Sequence, residues 1–375
     1  MKTSSKYQVT ATALLLFGIV AAQAAQPLTA LHRTEYTVVV KSTAPIIFDS
    51  AARLYVREVS AITPREKIPV LFVHGAGTPA EVAFDVPVAG YSWMEYLAER
   101  GFRTFATDMT GYGRSTRPLV MADRCNLSEE QQKQEFGDAC PATIATALTT
   151  MASDWHDIDA VVDFLRNKYK VPKVNLVGWS QGGPRTAGYA ALHPDKISAV
   201  VILAPAYNRK APATAADAAI DGVAITKQSQ LDFLKQWKDQ ATCADQYDPD
   251  VAVAVWEEML ASDPVGAKWG YGVRRAPRVP TFGWTPKEVA ATKTPILMMT
   301  GLTDGQVNPE RVRELYADLG APKKILIELP CASHNAMWER GKERLFDASF
   351  QWFDATKYKG KTSGTFVLES GQTKK

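Results

Sequence analysis

Cysteine is scarce in this 375-residue chain: there are four, none earlier than Cys125. None has a second Cys or a His at zinc-site spacing, which argues against a structural metal. The lack of an early cysteine also removes a lipid anchor on a mature N-terminal cysteine. Long runs of one charge are missing as well, and the formal net charge is only +3. Nothing in that balance points to nucleic acid or an anionic membrane surface as a partner. No internal repeat and no low-complexity segment interrupts the chain. The longest apolar stretch near the start, residues 11–22, is too short to span a bilayer comfortably, so stable membrane insertion is not expected. Histidine is sparse too, at five residues, few enough for a catalytic base to be sought by elimination.

What is present begins with a leader. Lys2 and Lys6 precede the apolar run, and Ala22-Gln23-Ala24 supplies the small residues that a signal peptidase cuts behind. Residues 1–24 therefore read as a cleaved secretory signal, with the mature protein periplasmic or secreted. Export to an oxidising compartment favours disulfides over free thiols. Four cysteines allow three pairings. Cys125 with Cys140 is the local choice and would contribute about 3 kcal/mol on a chain-entropy account; Cys243 with Cys331 is then the long-range partner pair.

Residues 35–41 and 52–59 are rich in β-branched and aromatic residues and read as an antiparallel pair at a sheet edge. Residues 69–73, 104–108, 174–177, 199–204, 295–300 and 324–329 are short apolar runs suited to strands covered on both faces. Helical patterns alternate with them: around Trp93 and Leu97 up to Gly101, from an N-cap at Ser153 through Trp155, Ile158 and Leu165, over residues 309–319, and through Leu345, Phe350 and Phe353. That alternation implies an α/β fold with a mostly parallel central sheet flanked by helices. Two stretches break the rhythm. Residues 116–152 form a partly polar insertion holding Cys125 and Cys140, and residues 206–292 read as a mainly helical insertion, with Asp248-Pro249 as cap and first helical residue and Trp269, Tyr271, Phe282 and Trp284 amid Pro and Gly. The expected organisation is a core of residues 25–205 and 293–358, the insertion 206–292, and a polar tail 359–375.

The chemistry centres on Gly178-Trp179-Ser180-Gln181-Gly182. A serine between glycines, at a strand-to-helix junction, is the pattern of a nucleophile elbow. A serine hydroxyl needs a neighbouring base to take its proton as it attacks. His32 lies near the mature start, His156 on the first turn of a helix, and His193 at the far end of the elbow helix. His74 follows a strand at the correct edge, but Gly75, Ala76 and Gly77 suit a loop presenting backbone N–H groups, so His74 is expected to order that loop. His334, after the last core strand, is the expected base. Asp304, in Gly301-Leu302-Thr303-Asp304-Gly305, follows the preceding strand and completes the order Ser, Asp, His; Asp108 is its rival, with a structural role toward residues 111–115 as the alternative. An oxyanion formed on attack requires preorganised donors. The backbone N–H groups of Gln181 and Ala76 are the candidates.

Taken in order, His74-Gly75-Ala76-Gly77, Gly111-Tyr112-Gly113-Arg114-Ser115, the elbow, Asp304 and His334 resemble the α/β-hydrolase superfamily in its serine esterase and lipase branch. The resemblance covers residues 35–355. It implies that the insertion 206–292, after the sixth strand, forms a cap over the site, and it leaves the disulfide-bearing insertion and the apolar loop 83–88 as departures expected to border the pocket. The expected activity is hydrolysis of a small-molecule carboxylic ester through an acyl-enzyme on Ser180, of a medium-sized apolar or aromatic ester if the cap's aromatics line the site. Lactone or amide hydrolysis would use the same groups. A non-catalytic ligand-binding protein on the same scaffold is the alternative of another class. Epoxide and haloalkane hydrolysis by related enzymes would require a carboxylate where Ser180 stands. No cofactor is expected, and oligomeric state is left open.

Overall fold

The central sheet has nine strands, and all but one run in the same direction. The computed structural model describes residues 30–269, 272–275 and 281–369; the leader 1–24 and Tyr271 lie outside them. At one edge, β1 (Leu31–Lys41) pairs antiparallel with β2 (Ala51–Ala61), which in turn pairs antiparallel with β4 (Thr104–Thr107). The edge hairpin is therefore as the sequence suggests. From β4 onward the sheet is parallel, in the order β4, β3 (Val70–Val73), β5 (Val174–Trp179), β6 (Ile197–Leu203), β9 (Ile296–Gly301), β10 (Lys324–Leu329) and β11 (Gly364–Val367).

Alternation of side chains explains why the central strands read as continuous apolar runs. In β3, Val70 and Phe72 enter the core on one face while Leu71 and Val73 enter the core on the other. The first core is closed by helices Trp93–Glu99 and Glu343–Ala355, the second by Met151–Tyr169 and Pro309–Asp318. Every strand from β3 to β10 in the sheet thus has an apolar layer above and below, the condition under which a parallel sheet is stable.

Three boundaries differ from expectation. The helix carrying Trp155 begins earlier, because Thr150 is the N-cap and Ser153 is its reciprocal partner three residues on, each side chain bonding the other's backbone N–H. A Ser at either place satisfies the same orphan donors, so composition does not separate the two registers. The expected polar tail is in part a strand: Gly364–Val367 pairs in parallel with β10. Its four residues alternate between half-buried and exposed, too weak an apolar pattern to announce a strand. Finally, the segment between β6 and β9 contains helices Gln230–Lys238, Pro249–Ser262 and Pro286–Ala291, with Asp248 capping the second, but also a two-stranded antiparallel ribbon, β7 (Thr226–Ser229) with β8 (Gly272–Arg275).

Both disulfides are formed as paired above. Cys125 and Cys140 have Cα atoms 5.2 Å apart, and Cys243 and Cys331 5.5 Å apart. The first closes a loop of the 116–152 insertion. The second ties the segment between β6 and β9 to the loop that follows β10.

One buried carboxyl in the second core gives a pH-dependent expectation. Asp157, on helix Met151–Tyr169, accepts the Thr110 N–H at 2.9 Å. Burial pushes its carboxyl up to about 7, against the pull of the Thr110 hydrogen bonds and with the neighbouring Asp154 carboxylate adding to the rise. A folded-state value above the unfolded one means that the fold holds this proton more tightly. The stabilisation is full at low pH and is lost as pH rises through about 7. Asp157→Asn cannot ionise and keeps a carbonyl for Thr110. It should gain on the order of 1–3 kcal/mol relative to wild type at about pH 8 and little at about pH 4, near the ordinary carboxylate value. Thermal melts at both pH values check this, and an equal shift at both would contradict it.

Candidate active site

Strand β5 ends at the carboxyl edge of the sheet, and the next residue is forced into a conformation that L-residues seldom take. Ser180 has φ 58°, in the left-handed region. Its backbone is held from both sides: its N–H donates to the Leu203 carbonyl at 2.9 Å, and its own carbonyl accepts from Gly183 at 2.9 Å and Ala206 at 3.0 Å. Strain of this sort persists only where neighbours over-determine it. The two flanking glycines are steric requirements. A Cβ on Gly178 would stand 2.2 Å from the Gly182 carbonyl oxygen, and one on Gly182 would stand 2.5 Å from the Val73 carbonyl oxygen. Across the sheet edge, a Cβ on Gly75 would come within 2.9 Å of the Ser180 Cβ.

His334 lies in the loop after β10 and is buried. Its Nδ1 is 2.9 Å from Asp304 Oδ2. The other carboxylate oxygen, Oδ1, accepts the N–H groups of Gln306 and Val307, each at 2.8 Å. With both oxygens of Asp304 acting as acceptors, the imidazole proton belongs on Nδ1, which leaves Nε2 a free lone pair. Strand β5 also grips this loop directly: the Trp179 indole N–H donates to the His334 carbonyl at 2.8 Å, and the two rings lie 5.4 Å apart.

The third loop, after β3, is ordered from below. His74 is fully buried; its Nε2 accepts the Met109 N–H at 3.1 Å and its Nδ1 contacts the Gly75 carbonyl at 2.7 Å. Burial, with the Arg185 charge adding, drives its pKa well below the usual imidazole value, so it is neutral. Arg185, also buried and paired with Asp154 at 2.7 Å, donates one Nη1 to the His74 and Gly75 carbonyls at 2.9 and 2.8 Å. In a trans peptide, C=O and N–H point opposite ways. Drawing the Gly75 carbonyl toward Arg185 therefore turns the Ala76 N–H the other way.

Ala76, Ser180, Gln181 and His334 all line one cavity of about 380 Å³, a size suited to a small-molecule ligand. Asp304 reaches that cavity only through His334. The segment between β6 and β9 supplies much of the remaining wall, including Tyr207, Gln228, Phe233, Gln236, Arg275 and Phe282.

A family model described as alpha/beta hydrolase fold matches residues 68–341. The chain belongs to the α/β hydrolase family. This hydrolase is similar to an epoxide hydrolase of Caballeronia sordidicola, with 26% identity over 263 residues, 67% of this chain and 68% of that one. A shorter likeness, 41% over 68 residues, is to the poly(3-hydroxyalkanoate) polymerase subunit PhaC of Allochromatium vinosum; it takes in 18% of this chain and spans only 19% of that protein's length. Among solved structures, a thermophilic esterase from Thermogutta terrifontis, with malate bound, superimposes with TM-score 0.53 at 16% identity, covering 85% of this chain and 98% of that one. At such identity the likeness is one of fold.

The remaining residues singled out from the hydrolase sequence fall elsewhere. Asp108 is buried and accepts the N–H groups of Ala80 at 2.8 Å and Arg114 at 2.9 Å. A Cβ on Gly113 would sit 1.9 Å from Asp108 Oδ2, so carboxylate and glycine fix one another in that turn. His32, His156 and His193 line no part of the cavity, and His156 instead contacts the Lys41 carbonyl at 2.9 Å. Neither the loop 83–88 nor the insertion 116–152 contributes a lining residue, contrary to expectation. Ala83, Phe84 and Val86 are buried in the first core instead, because an apolar loop packs inward when a core face is open to it. Trp256 and Trp284 are likewise core residues. No helix of the described residues is long and apolar enough to cross a membrane.

Sequence reasoning misses Arg185 and Gln240. Gln240 follows the helix Gln230–Lys238, and its Oε1 accepts the Gly305 N–H at 2.9 Å and the His334 N–H at 3.3 Å. One side-chain oxygen thus bridges the loops that carry Asp304 and His334. A buried Glu339 makes a second link, accepting from Ser333, Trp237 and Gln246. Gln240→Ala strands two backbone donors and should lower kcat about tenfold, with KM changed less; Gln240→Glu, which keeps an acceptor, should restore most of it. Steady-state kinetics on the three proteins decide. Equal loss in Ala and Glu variants would mean that the bridge does not position the loops.

Proposed function

We propose that this hydrolase cleaves a carboxylic ester by forming an acyl-enzyme on Ser180, and that it acts after export as a periplasmic or secreted protein. The observation that carries the reading is the ordered His334–Asp304 pair, 2.9 Å apart, opening onto the same cavity as the left-handed Ser180. In this scheme His334 Nε2 takes the hydroxyl proton as Oγ bonds to the ester carbonyl carbon. The negative charge that moves to the carbonyl oxygen is met by the N–H groups of Ala76 and Gln181. Collapse breaks the bond to the alcohol, which leaves with the proton from His334. Water then attacks the acyl-serine, giving its proton to the same imidazole, which passes it to Ser180 Oγ as the acyl–oxygen bond breaks and the acid departs. The segment 206–292 acts as a cap over that cavity.

Ester, lactone and amide substrates would share these steps. Epoxide opening by related enzymes uses a carboxylate nucleophile, and a serine stands at that place here. The two disulfides suit an oxidising compartment and support export.

A fluorophosphonate probe tests the nucleophile. Labelling should be stoichiometric and map to the peptide holding Ser180. Label on another residue would remove the scheme.

A further inference from the structure

The cavity wall is unlike one made for an alkyl chain. Six of its side chains are amides: Gln181, Asn208, Gln228, Gln236, Gln306 and Asn335. Of the aromatic residues that might have lined it from the segment between β6 and β9, Trp237, Trp256 and Trp284 are fully buried in the cores, and Tyr207, Phe233 and Phe282 remain. An apolar substrate would cover the amides without giving them hydrogen bonds, which is unfavourable for each group left unpaired.

The charges in the wall are of one sign. Arg275 and Arg311 line the cavity, and no Asp, Glu or Lys stands among the described lining residues. Arg275, at the end of β8, donates to Gln228 Oε1 at 3.2 Å. Its Nη1 lies where a Cβ on Gly77 would be only 2.8 Å away, so the guanidinium packs on the loop that carries Ala76. Arg311 comes from another wall, the first turn of helix Pro309–Asp318. It is exposed, and no carboxylate of the described residues pairs with it, whereas Arg313, two residues on, pairs with Glu310 and Glu328.

We propose that the ester accepted by this cavity carries a carboxylate, held by Arg311 and drawn in by the combined field of Arg311 and Arg275. This deepens the ester-hydrolase reading and rests on it. A guanidinium meets a carboxylate through two parallel N–H···O bonds, which fixes direction as well as charge. A cleft lined by charge of one sign also concentrates ions of the other sign before they dock.

The test uses two esters of the same shape: monomethyl glutarate, and the methyl ester of glutaric acid monoamide, in which an amide replaces the carboxylate. Wild type should favour the carboxylate by about 10- to 100-fold in kcat/KM at low salt, the range expected of a charge-assisted contact. The preference should shrink as sodium chloride is raised to about 0.5 M. Arg311→Gln should bring the ratio to within about threefold of one, and Arg275→Gln should reduce it in part. No preference in wild type, or a preference that survives Arg311→Gln, overturns the carboxylate subsite. p-Nitrophenyl acetate separates the two levels. If it is hydrolysed while the preference is missing, the subsite alone is wrong; if neither it nor the methyl esters turn over and no probe labels Ser180, the ester reading falls and takes the subsite with it.

Discussion

Ser180→Ala should lower kcat/KM for any ester substrate by on the order of 10⁶ and abolish fluorophosphonate labelling, with the thermal midpoint almost unmoved. The expected loss follows from the proposed acyl-enzyme on Ser180, which lines the same cavity as His334. Stability does not. The left-handed backbone at position 180 is held by bonds from the Leu203 carbonyl, Gly183 and Ala206 to main-chain atoms, none of which the substitution touches. Alanine bears a Cβ as serine does, so it meets the same contact with Gly75 and gains no relief. Circular dichroism and melting curves beside the kinetics separate the effects. Retained turnover would remove Ser180 from the chemistry, and a collapsed fold would mean that the hydroxyl also has a structural role.

Asp304→Asn should cost about 10³- to 10⁴-fold in kcat. The reason lies in how Asp304 is held. Its Oδ1 faces two N–H donors, those of Gln306 and Val307, both at 2.8 Å. An asparagine must keep its carbonyl oxygen there, because turning the amide over would set NH₂ against two donors. That leaves its NH₂ facing His334 Nδ1, where the carboxylate oxygen now lies 2.9 Å away. The ring must then accept at Nδ1 and carry its proton on Nε2, the atom that should take the proton from Ser180. The variant should fold normally and still bind substrate, so KM should change far less than kcat. A loss of less than about tenfold would show that the tautomer at His334 does not limit the reaction.

Much of this arrangement is legible in the sequence because each part has a local signature. Gly178 and Gly182 flank Ser180 for steric reasons that act within five residues, and the buried strands β3 and β5 are apolar on both faces. The order Ser180, Asp304, His334 then follows from where strands end. Features that depend on distant pieces of chain leave weaker traces. Gln240 looks like any surface amide until the loops of Asp304 and His334 are folded beside it. Arg185 reads as an ordinary helix residue, although it fixes the Gly75 carbonyl. The strand β11 and the ribbon of β7 with β8 are short and polar on one side, so periodicity does not reveal them. The aromatic residues of 206–292 suggest an apolar pocket, yet most went to the cores; composition says that they are buried somewhere and not against what.

The two disulfides differ in when they can close. Cys125 and Cys140 are 15 residues apart, while Cys243 must wait for Cys331, 88 residues later. A chain threaded into an oxidising compartment from its N-terminus presents the first pair together, and their early closure removes both competitors before the third thiol arrives. Under the proposed export the correct connectivity would need little proofreading, because delivery from the N-terminus would leave Cys243 one partner to find.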